Sequence, residues 1–169
     1  MDNRYLPKID LETLQKIRSS NNPLEYFDLL VQPLHEELYK RQSFDFFEEL
    51  SKGQQLLLSY DYIQNQVLQG GFIQLIENGY IGLLPDMPDW LTMVGDTEMA
   101  KVIDDVLKVY VLNKEVFDRA TSIEDFVKLY EELREFEIID DRFRALNEPT
   151  IKLMLTYADS HLDEFISIN

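Results

Sequence analysis

The chain of 169 residues contains no cysteine, which excludes disulfides, thiolate metal sites and cysteine nucleophiles at once. Histidine is nearly as scarce, with two residues, so few neutral-pH proton shuttles or nitrogen metal ligands exist. No apolar run approaches the roughly 18 residues that a membrane helix needs. Residues 1–17 lack the continuous apolar segment of a secretory signal, and a cytoplasmic location is the default expectation. Basic residues are the other shortage: 16 Lys and Arg face 32 Asp and Glu, for a formal net charge of −16. Between positions 53 and 100 there is no Lys or Arg at all, against six acids. Such a chain is repelled by nucleic acid and by anionic membrane and is drawn to basic protein surfaces. The same acidity also serves solubility.

What is present is apolar enough to fold. Hydrophobic residues make up 45% of the chain and aromatics 12%, well away from the low hydrophobicity of a disordered acidic tail. Length and the absence of repeats or linkers indicate a single domain. Apolar residues recur at helical spacing and two-residue alternation is scarce, so the expected fold is all-α: one compact multi-helix domain with a central buried helix near 97–112.

Capping and breaking residues divide the chain. Asp10 caps a first helix, Asn22 and Pro23 start a second, and Pro33 is expected to break or kink it near Gln32. A third helix places Leu56, Leu57, Tyr60, Ile63, Val67 and Leu68 on one face, with Gln64 among them as a residue that needs a hydrogen-bond partner if buried. This helix should end at Gly70-Gly71, and a short one over 72–78 should stop at Gly79. Residues 80–90 read as an apolar loop folded back over the core, and if exposed instead they offer a surface for homodimer formation. Asp96 caps the helix near 97–112, whose polar stripe pairs Lys101 with Asp105 and Asp104 with Lys108. Thr121 or Ser122 opens the next helix, with Ile123, Phe126, Val127, Tyr130 and Leu133 inward. Asn147 and Pro149 announce the last, which turns Ile151, Met154, Leu155, Ala158, Leu162, Phe165 and Ile166 inward.

Chemistry-bearing patterns are thin. His35-Glu36-Glu37 opens like a zinc-protease helix, but Tyr39 stands where the second histidine belongs. His161 and Glu164 could face one metal, yet a single such pair makes no site, and neither metal nor cofactor is expected. The adjacent acids Asp104–Asp105, Glu131–Glu132 and Asp140–Asp141 point about 100° apart on a helix, a poor geometry for acid–base work. An enzyme would have only His161 or converging carboxylates to draw on. Binding, rather than catalysis, is the expected mode of action.

The acids themselves are the better signal. Residues 115–141 hold ten of them against Arg119, Lys128 and Arg134. Glu124, Asp125, Glu131, Glu132, Glu135, Asp140 and Asp141 are the candidate partner-binding residues. A helix over 123–137 would span roughly 22 Å, a length over which duplex DNA carries about 13 charges. Its own net charge is −4. One helix cannot imitate a duplex, so mimicry would draw on several segments or two subunits.

The stretch Leu68-Gln69-Gly70-Gly71-Phe72-Ile73-Gln74-Leu75-Ile76-Glu77-Asn78-Gly79 resembles the signature of a bacterial family long described as a domain of unknown function. There a helix runs into Asn-Gly-Gly-Phe, then a Gln and an aromatic-rich turn ending near Asn. Here Gln69 stands for the Asn and aliphatic residues replace the later aromatics. The resemblance extends through 96–110, Ile139-Asp140-Asp141-Arg142-Phe143 and the last helix, over about 50–165, with N-terminal helices over 10–50 packed on that core. The family includes an all-helical DNA mimic whose acidic surface occupies the DNA-binding site of a transcriptional repressor. The resemblance therefore implies a helical fold and a basic partner such as a DNA-binding regulator, without direct nucleic-acid or membrane contact. An inhibitor or immunity protein against a cationic nuclease, and a helical domain whose acidity serves only solubility, are the alternatives.

Overall fold

A computed structural model describes residues 5–169; the first four, part of the stretch compared with a secretory signal, lie outside the described residues. The fold is all-α. Its helices are α1 (Leu11–Ser19), α2 (Pro23–Arg41), α3 (Lys52–Glu77), α4 (Met87–Met93), α5 (Thr97–Leu112), α6 (Lys114–Arg119), α7 (Ile123–Glu132), α8 (Glu135–Ser160) and α9 (Leu162–Phe165). The strands β1 (Lys8–Ile9) and β2 (Ser167–Ile168) pair in parallel over two residues each. Two compact units emerge among the described residues, one of 5–61 with Pro149–Asn169 and one of Tyr62–Glu148.

In the first unit the Asp10 side chain accepts the Thr13 N–H at 2.8 Å and starts α1. Helix α2 begins on Pro23, which needs no N–H there, and buries Tyr26, Phe27, Leu30, Val31 and Leu34. Pro33 does not end it: α2 runs through to Arg41. A proline inside a helix forfeits one ladder hydrogen bond, and here Leu30, Val31 and Leu34 remain buried around it, so packing outweighs the lost bond. The same correction applies to Pro149, which lies inside α8 rather than announcing a new helix. Ile151, Met154, Leu155, Ala158, Phe165 and Ile166 are buried as their spacing predicts, with Leu162 half-buried. His35 Nε2 on α2 lies 2.7 Å from Asp61 Oδ2 on α3. Arg41 bonds Glu37, Glu49 and the Tyr5 hydroxyl, fastening the end of α2 to the 3-10 turn at Phe47–Glu49.

In the second unit Ile63 and Val67 are buried, whereas Leu68 is exposed, so the apolar face of α3 is narrower than its sequence suggests. Gln64 is buried and accepts a bond from Asn147 at 3.2 Å, as a buried amide requires. Residues 80–90 are not a loop. They form a 3-10 turn at Tyr80–Leu83 and then enter α4. Their apolar side chains do fold inward, with Leu84 and Met87 fully buried and Leu91 of α4 beside them in sequence equally so. Helix α5 starts where Asp96 accepts the Met99 N–H and buries Met99, Ala100, Val102, Ile103 and Val106, but its last turn exposes Val111 and Leu112. Its charges pair three residues apart, Lys101 with Glu98 and Lys108 with Asp105, rather than as Lys101–Asp105 and Asp104–Lys108. Asp105 turns instead toward Arg142 of α8, 2.7 Å away, and the guanidinium holds its carboxyl below the usual range.

Candidate functional site

Two parts of the second unit hold the candidate residues and the family-like signature: the acidic stretch from α7 into α8 and the glycine kink of α3. At the kink Gly71 takes φ 75° and ψ −176°, a region open essentially to glycine alone. The turn frees the Phe72 N–H from the helical ladder, and Asp140 of α8 receives it on Oδ1 at 2.9 Å. Contact is close enough that a Cβ on Gly71 would stand 2.1 Å from Asp140 Oδ2. The Phe72 ring meets Phe143 edge-on at 5.4 Å. Across the other side the Tyr130 hydroxyl of α7 donates to the Gly70 carbonyl at 2.8 Å. The Gly-Gly-Phe run and the 139–143 segment are thus one interlocked element, in which the glycine makes room and the aspartate supplies the acceptor.

Asp140 is therefore not a surface acid. It is only 7% exposed, and burial pushes its carboxyl up to about 6, opposed by the Phe72 N–H and Arg144 and reinforced by Asp141 and Glu137. Its assignment to a partner-binding surface is corrected by this burial. Asp125 is also committed: it completes a capping box with Ser122 at the start of α7, and the Thr121 and Ser122 N–H groups hold its carboxyl below the usual range. Asp141 is exposed and paired with Arg144 at 3.2 Å.

The remaining candidates stay open. Glu124, Glu131, Glu132 and Glu135 are exposed, as is Glu137, and none forms an ion pair among the described residues. Lys128 and Arg134 lie in the same stretch. By contrast, nearby acids are neutralised on their own helices, Glu98 by Lys101, Asp118 by Lys114 and Glu115 by Arg119. The base-free stretch before position 100 offers less than its count suggests. Asp61 is engaged by His35, Asp96 is a buried cap and Glu98 is paired, which leaves Glu77, Asp86 and Asp89 exposed.

The inward face of α7 is only partly the expected one: Leu133 and Phe126 turn inward as their spacing predicts, and Ile123, Val127 and Tyr130 do not. Leu129 and Leu133 are buried with Phe126 half-buried, while Ile123 is 77% and Val127 56% exposed. Apolar residues make up half of this helix, a wider band than the core contacts, and only contacts decide which part of it faces inward. His161 is turned to the Tyr157 carbonyl, 2.9 Å from Nδ1, with its ring stacked on Tyr157. No group of three or more potential metal ligands exists among the described residues. A cleft of about 360 Å³ in the first unit is lined by Arg18, Asn22, Tyr26, Lys152 and Asp159 among others, and contains none of the candidate acids.

Fold and site together define an acidic all-α protein whose glycine-kinked helix is locked by an aspartate from a later helix, with exposed glutamates nearby that form no ion pair among the described residues. The chain belongs to the DMP19-like protein family, whose model matches residues 48–161; DMP19 is a DNA mimic protein. The match covers both halves of the kink, Gly71 and Asp140. No curated protein matches the chain. No helix among the described residues is long and apolar enough to cross a membrane.

Proposed function

We propose that this chain acts by binding, as a DNA mimic that occupies the DNA-binding surface of a basic regulatory protein. The observation that carries this reading is the set Glu124, Glu131, Glu132 and Glu135, exposed and without an ion pair among the described residues, in a family named for a DNA mimic. Carboxylates already bonded to a lysine or arginine have little field left for a partner; open ones retain it and steer a cationic surface into place. Helix α7 alone is about 15 Å long, and duplex DNA carries about nine charges over that length. Four acids on α7 cannot supply this, and with Glu135 and Glu137 of α8 the stretch still falls short of the duplex, so further segments or a second subunit complete the mimic. Asp140 and Asp125 act indirectly, the first by fixing α8 to the kink and the second by holding the start of α7.

The test is mutual exclusion. Proteins retained from bacterial lysate on the immobilised chain at low salt are identified, and each is titrated in purified form with its DNA duplex and with this chain. The reading expects a retained protein that binds DNA and releases it as the chain is added. Retained proteins that bind duplex and chain simultaneously, or that bind no DNA, would overturn it.

A further inference from the structure

Helix α7 presents more than charge. Ile123, Val127 and Tyr130 fall within about a 60° arc of the helix, and all three are exposed, by 77, 56 and 37%. The buried seam of Leu129 and Leu133 lies on a different side, so the row is surplus to the core. Its setting is fixed. The Ser122–Asp125 capping box holds one end, and the Tyr130 hydroxyl bonded to the Gly70 carbonyl anchors the other, leaving the Tyr130 ring partly open. Along one flank run Glu124 and Glu131, both exposed and without an ion pair among the described residues.

We infer that this row is a docking strip for a cationic amphipathic helix, which lays apolar side chains on Ile123, Val127 and Tyr130 and basic ones on Glu124 and Glu131. The inference rests on the DNA-mimic reading and deepens it: the partner's groove-reading helix is gripped by apolar contact that DNA phosphates do not provide. Charge complementarity selects the occupant. A second copy of the strip would set Glu124 and Glu131 against like charges, and a nucleic acid would be repelled. A basic helix with an apolar ridge satisfies both parts of the strip. Tyrosine, large and amphipathic, is suited to such contacts.

The probes are two helical peptides of equal length and equal positive charge. One carries leucine at i, i+3, i+4 and i+7, the other glutamine at the same positions. The intact chain should bind the leucine peptide at least about tenfold more tightly. That advantage should persist from about 50 to about 500 mM salt, where screening weakens both complexes' ionic part. In the Ile123→Ser, Val127→Ser chain the preference should vanish while affinity for the glutamine peptide is unchanged. Both positions are exposed, so the fold should tolerate the pair. Equal affinities in the intact chain, or a preference that survives the double substitution, would overturn the docking strip alone. A dimer in sedimentation that the double substitution dissociates would assign the strip to a second copy and overturn it too. Failure of both peptides to bind at low salt would instead contradict the acidic-surface reading beneath it.

Discussion

Replacing Asp140 by asparagine should change the pH dependence of stability in a direction that its burial dictates. The carboxyl sits near 6 in the folded chain, raised from 3.8 by burial. A raised carboxyl pKa means that the folded state prefers the protonated form. Its contribution is therefore fully present below pH 3.8 and is lost as pH rises through 6. At 1.36 kcal/mol per unit the whole span is about 3 kcal/mol, and about 1.4 kcal/mol of it lies between pH 5 and pH 8. Asp140→Asn keeps a carbonyl oxygen for the Phe72 N–H and carries no charge at any pH. Urea unfolding of both chains at pH 5 and pH 8 should show the variant gaining on the parent by about 1–2 kcal/mol at the higher pH. The absolute offset is less informative, because the amide hydrogens must fit beside Gly71 where Oδ2 now lies. A difference between the two chains that does not vary from pH 5 to pH 8 would refute the reasoning. So would a carbon-13 titration that places the Asp140 carboxyl below pH 4.

Gly71→Ala should cost about 3 kcal/mol or more, since it combines a glycine-only backbone region with a Cβ forced onto the Asp140 carboxylate; thermal unfolding would show it as a large fall in midpoint. Gly82→Ala, where an added Cβ meets nothing within 4 Å, should change stability by no more than about 0.5 kcal/mol. Ser122→Ala removes half of the capping box and should cost about 1 kcal/mol, read by urea midpoint at neutral pH. Tyr130→Phe removes the bond to the Gly70 carbonyl and should cost about 1 kcal/mol in the same assay.

Helix content was legible in the sequence because capping residues act locally. Asp10, Asp96 and Ser122 each make the bond that their position announces, and Gly71 and Gly79 both adopt positive φ, the first as a kink within α3 and the second just past its end. The prolines misled because the cost of one missing backbone bond is local, while the burial that outweighs it comes from elsewhere in the chain. The apolar face of α7 misled for a different reason. Ile123–Val127–Tyr130 and Phe126–Leu129–Leu133 are equally regular helical rows, and only the contacts of the folded chain choose between them. Exposure along the candidate acidic stretch was partly legible. Glu124, Glu131, Glu132 and Glu135 are open carboxylates as their spacing suggested, whereas Asp125 and Asp140 are consumed by bonds within the fold. For Asp140 the signal was present: the Gly-Gly-Phe run and the 139–143 segment fall in one family pattern, and the hydrogen bond from Phe72 shows what joins them.

The central claim is that the exposed glutamates around α7, not total acidity, engage the partner. Reversing three of them, Glu124→Lys, Glu131→Lys and Glu132→Lys, alters net charge as much as reversing the paired acids Glu98→Lys, Glu115→Lys and Asp118→Lys. Titration calorimetry against the DNA-binding protein identified by mutual exclusion should show affinity lost by at least about a hundredfold in the first variant. The second should bind nearly as the parent does. Equal losses in the two variants would reduce the interaction to bulk charge and contradict the account.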